Sequence, residues 1–78
     1  MAAGSRYEGV GWTLEDAVRE AHSKAPNRRD GQLELGMTRL VEVRIQRNGF
    51  AQSVSFHVVV EEDLTTVPWA EPPHLVGV

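Results

Sequence analysis

Cysteine is absent from this 78-residue chain, aromatic residues make up only 6% of it, and no unbroken apolar run exceeds three residues, as in Val58-Val59-Val60. Without cysteine there is no disulfide framework and no thiolate metal site to support a small fold. Without a longer apolar stretch no segment can cross a bilayer as a helix. No charged start leading into an apolar stretch marks a secretory signal, so a soluble, cytoplasmic protein is the expectation. An excess of basic charge is missing too: 8 basic residues stand against 11 acidic ones, for a net charge of −3. That argues against nucleic acid as a partner, since a basic face is what grips phosphates.

What remains is ordinary globular usage, 41% hydrophobic and 24% charged. The length allows one domain, and a chain this short buries only about 60% of the surface it exposes when unfolded. Its core is small enough that partners would help it.

The clearest local signal follows Thr13. Leu14, Ala17, Val18, Ala21 and Ala25 recur at helical spacing along one stripe. Thr13 with Asp16 has the form of a capping box, and Glu15 and Asp16 suit the positive end of a helix dipole. Glu15–Arg19 and Glu20–Lys24 stand at i,i+4 on the side read as outward, and Pro26 ends the run. A helix is therefore predicted from Leu14 to about Ala25. Before it, Arg6 to Val10 is compatible with a short strand of poor alternation.

Residues 27–36 read as a connector, with Leu33 and Leu35 dipping toward the core. A hairpin is predicted over Thr38 to Glu61, turning at Asn48-Gly49. A two-residue turn there pairs Ile45 with Gln52, Val43 with Val54 and Val41 with Phe56. The opposite face then carries Leu40, Glu42, Arg44, Ser53, Ser55 and His57. The helix stripe is expected to pack on Val41, Val43, Val54, Phe56 and Val58. Three prolines within Pro68 to Pro73 exclude helix and central strand, so residues 65–78 are expected as an extended tail on a domain of residues 1–64. The fold class is α+β, in the order β-α-β-β, with one helix on a small antiparallel sheet.

No catalytic motif emerges. Gly9-Val10-Gly11 lacks the Lys-Ser or Lys-Thr of a phosphate loop. His22, His57 and His74 lie on three different elements, and Ser55 with His57 lacks a sequence-visible acid to orient the imidazole. The reading is not an enzyme. Lys24, Arg28 and Arg29 gather basic charge that suits a phosphate, although Asp30 partly cancels it. Glu61-Glu62-Asp63 reads as a solvated strand end, and Trp12 as a staple at the helix entry. Trp69 and Leu75 sit on a segment that cannot fold locally, where an apolar residue serves to anchor a neighbouring subunit.

The run Thr13-Leu14-Glu15-Asp16-Ala17-Val18-Arg19-Glu20-Ala21, followed by a connector and a long hairpin, resembles the dodecin family. Leu40-Val41-Glu42-Val43-Arg44 is similar to that family's second strand, and Val54-Ser55-Phe56-His57-Val58 to its third. The resemblance covers about residues 13–60. It implies a β-α-β-β subunit of a hollow homo-oligomer, a dodecamer, that sequesters a flavin or another phosphate-bearing aromatic molecule. The family's flavin-stacking tryptophan falls at Met37 or Thr38 here, and its flavin-contacting glutamine at Gln52 or Ser53. Met37, Arg44, Gln52, Ser53 and His57 are thus the candidate ligand-binding residues. Neither Met37 nor Thr38 offers a π-face, so weak flavin binding or none is expected.

Overall fold

A computed structural model describes residues 4–50 and 52–72. Its elements run β1 (Arg6–Gly11), α1 (Leu14–Ser23), β2 (Arg28–Asp30), β3 (Leu33–Leu35), β4 (Thr38–Arg47) and β5 (Val54–Glu62). β1, β5 and β4, in that order, form a three-stranded antiparallel sheet, and β2 with β3 forms a separate two-stranded one. The described residues are α+β, with one helix among them.

The helix begins as its sequence dictates. Thr13 Oγ1 accepts the Asp16 N–H at 3.1 Å, Glu15 pairs with Arg19 at 2.7 Å, and Glu20 lies 3.9 Å from Lys24. Its regular part ends at Ser23 rather than Ala25. The last turn tightens there, with the Lys24 and Ala25 N–H groups donating three residues back, to Ala21 and His22. Two groups expected to face outward do something else. Glu20 Oε1 accepts the Val10 N–H at 2.9 Å, and Lys24 Nζ donates to the Glu8 carbonyl at 2.6 Å. Helix side chains therefore occupy backbone groups on the free edge of β1.

Ala17 and Ala21 sit directly on β1 at its glycines. A Cβ added to Gly9 would stand 2.2 Å from the Ala17 carbonyl oxygen and 2.5 Å from the Ala21 nitrogen. Close approach, rather than apolar alternation, is what makes Arg6–Gly11 the strand under the helix. The core is Ala17, Ala21, Val58 and Val60, with Tyr7, Val18 and Phe56 packed around it. This corrects the expected packing: Leu14, Val41 and Val43 are exposed, and Val60 takes the place given to Val54.

The hairpin exists, but not with the expected turn. Ile45 pairs with Phe56, Val43 with Val58 and Arg44 with His57, four residues further along than a two-residue Asn48-Gly49 turn would give. The Asn48 N–H donates to the Ser53 carbonyl at 2.8 Å, closing a longer loop in which Gln52, not Gly49, takes the left-handed conformation (φ 51°). The physical reason lies in the pairs. The observed register sets three apolar pairs side by side, Leu40–Val60, Val43–Val58 and Ile45–Phe56, whereas the expected one left Ile45 against Gln52. A bulge makes the first of these compatible with the others. Val41 is the extra residue between Leu40 and Glu42, and it turns Leu40 toward the helix side.

The stretch expected as a plain connector contains the β2–β3 hairpin. Gly31, at φ 65°, is the first residue of its two-residue loop, as a type II′ turn requires. Leu33 is exposed instead of buried, and Trp12, read as a staple, has 68% of its surface in solvent. Residues 64–72 contain no helix or strand. Pro73, His74 and Leu75 lie outside the described residues. No helix among the described residues is long and apolar enough to cross a membrane.

Candidate functional site

The face of the three-stranded sheet turned away from α1 is built in cross-strand rows. Arg6, Glu61 and Arg39 form one row, Glu8, Val59 and Glu42 the next, and Val10, His57 and Arg44 the third. Glu61 is 7% exposed and sits between two guanidinium groups: Arg6 Nε is 3.3 Å from Oε1, and Arg39 holds Oε2. These charge-assisted bonds keep its carboxyl below the usual carboxylate range. The acidic run at the strand end is therefore not uniformly solvated. Asp63, two residues on, accepts from the Thr66 hydroxyl at 2.6 Å and from the Thr66 and Thr65 amides at 2.9 and 3.0 Å. Those bonds, with Arg28 nearby, lower its pKa from 3.8 to about 2.

Beside the third row lies an open groove of about 750 Å³. Its lining joins Val10, Arg44 and His57, on the face turned away from α1, with Ile45, Phe56 and Arg47, which alternate to the other face at the strand ends. His57 Nε2 is 2.6 Å from Glu8 Oε1, so an acid does reach this imidazole, from β1. The sequence could not reveal that, because the two residues are 49 positions apart. Ser55, on the same strand face, makes no hydrogen bond to the ring. Arg44 is ion-paired with Glu42, two residues earlier on β4.

Of the five candidate residues, Arg44 and His57 are thus brought together, directly opposite each other. The other three are not. Ser53 serves the hairpin loop, its carbonyl accepting from the Asn48 N–H and its Oγ from Asn48 Nδ2 at 3.2 Å. Gln52 is exposed in that loop. Met37 is 8% exposed at the start of β4, where its sulfur accepts from Arg28 Nη2 at 3.2 Å. The shift in register separates Gln52 and Ser53 from the groove; Arg47, Phe56 and Val10 take their place.

The basic cluster past the helix is also dispersed. Lys24 turns to Glu8 and Glu20, and Arg28 turns inward to Met37 and the Thr66 carbonyl. Among the described residues, no three His, Asp or Glu side chains converge into a cation cage. Compared with protein-family models, with curated proteins and with solved structures, the chain matches none.

Proposed function

We propose that this chain is the subunit of a dodecin-like homo-oligomer that binds a small phosphate-bearing aromatic molecule in the groove beside β4 and β5. The observation that carries this reading is the make-up of that groove, where Phe56, Ile45 and Arg47 share one face of the strand ends and Arg44 and His57 the other. An aromatic ring would lie on the apolar part, and arginine forks suit a phosphate. A ring stacked only on Phe56 and aliphatic groups is held less firmly than one on a tryptophan, so affinity for a flavin is modest.

The test is a fluorescence titration with FMN and riboflavin, which differ in the phosphate. Hydrogen bonds to a charged group are worth roughly 1.5–3 kcal/mol, so FMN should bind at least about tenfold tighter than riboflavin. Arg47→Ala should erase most of that difference. Equal binding of the two flavins, or none of either, would overturn the ligand.

A second reading has its own support. The apolar row of β4 is left uncovered by the helix, with Leu40 49%, Val43 39% and Ile45 65% exposed, so assembly alone is a sufficient role for the chain. A uniform oligomer with no flavin affinity would favour it.

A further inference from the structure

A second concavity of about 640 Å³ lies at the start of β4, between α1, the β3–β4 junction and the segment after β5. Its apolar surface comes from Val18, Leu33, Leu35, Met37, Pro68 and Trp69. Met37 is buried and holds its place through Arg28, which also grips the Thr66 carbonyl. That arginine ties one wall of the cavity to the turn from which Pro68 and Trp69 emerge. The turn itself is fixed by the three bonds to Asp63. Trp69 is thus presented at the cavity with 72% of its surface open, a large aromatic that its own domain does not bury.

The charge of this cavity is opposite to that of the groove. Glu34 and Glu71 line it, neither has an ion-pair partner among the described residues, and no lysine or arginine belongs to the lining. His22 is the remaining titratable group there, its Nδ1 2.7 Å from Thr38 Oγ1. An indole face beside two unpaired carboxylates attracts positive charge on a flat molecule, by cation–π attraction and by Coulomb attraction together. From this we infer that the cavity binds a small planar organic cation, stacked on Trp69 and drawn in by Glu34 and Glu71. The site is separate from the phosphate-binding groove and does not depend on it.

Proflavine, a planar acridine cation with its own fluorescence, is the probe, and anilinonaphthalene sulfonate is the matching anion. Proflavine should bind the full chain, more weakly as salt is added, and the sulfonate should not compete. Trp69→Ala should weaken proflavine roughly three- to tenfold, the range expected for one cation–π contact. Glu34→Gln and Glu71→Gln, both at exposed positions, should each weaken it about twofold without altering the fold, and Arg47→Ala should leave it unchanged. Absence of proflavine binding would overturn the inference. So would affinity indifferent to Trp69 and both glutamates, or equal binding of the sulfonate. A loss confined to FMN in Arg47→Ala would concern the groove alone.

Discussion

At the scale of single residues, the carboxylates next to the end of β5 decide how the chain responds to acid. A carboxylate as enclosed as Glu61 would be costly on its own, and the two arginines flanking it from β1 and β4 offset that cost. Asp63 is stabilised as an anion by hydroxyl and amide donors. Both groups have folded-state pKa values below their unfolded ones, so the unfolded chain binds more protons in acid. Their contribution is whole above pH ~4.5 and is lost as pH falls toward about 2, where Asp63 titrates in the folded state. Asp63→Asn removes one of these two groups while keeping a side chain of similar shape. Thermal melting from pH 7 to 2.5 should show the variant less stable at neutral pH and with a shallower fall below pH 4.5. Parallel curves for the two proteins would mean that Asp63 does not couple folding to pH.

At the scale of elements, Gly9 is where helix and sheet meet. Any side chain there runs into the backbone of α1, which cannot rotate aside as a side-chain tip can. Gly9→Ala should therefore cost on the order of 1–3 kcal/mol, as overpacking does, read as a lower melting temperature. An unchanged melt would show that the helix can stand off β1. The same contact explains what the sequence made legible. The helix announced itself through its cap, its period and its ion pairs, all of them local. β1 did so only faintly, because its place is set by two glycines against two alanines rather than by alternation. The hairpin's existence was readable and its register was not. A slip by an even number of residues preserves which side chains share a face, so patterning alone cannot separate a shift of four from none. The bulge at Val41 then reversed the facing of Leu40. β2 and β3, three residues each, are too short for alternation to show, although Asp30-Gly31 held a turn signal. Of the candidate site, Arg44 and His57 kept the shared face that was expected, and the shift in register is what set them directly opposite each other, where Ser53 was expected against Arg44. Gln52 and Ser53, placed by the assumed turn, lie in the loop instead.

At the scale of the whole molecule, the two edges of the sheet differ. On β1, Glu20 and Lys24 occupy the outward Val10 N–H and Glu8 carbonyl. On β4, ten residues long, one edge is paired to β5 and the other is bounded by no strand of the described residues. An open edge of that length invites pairing with another chain. It runs alongside Leu40, Val43 and Ile45, which share the helix side of the sheet but lie past the reach of α1. Val43, Leu40 and Ile45 are 39, 49 and 65% exposed, an apolar strip of the kind that marks a contact with another chain. Closed symmetry would cover every open edge at once. Sedimentation at micromolar concentration should accordingly show a discrete oligomer. Leu40→Glu and Ile45→Glu each place a charge on the uncovered row without touching the buried core, and each should shift the protein toward monomer while circular dichroism holds. A wild-type chain that sediments as a well-folded 8.7 kDa monomer would rule out the assembly, and the open β4 row would then be a surface for a different partner.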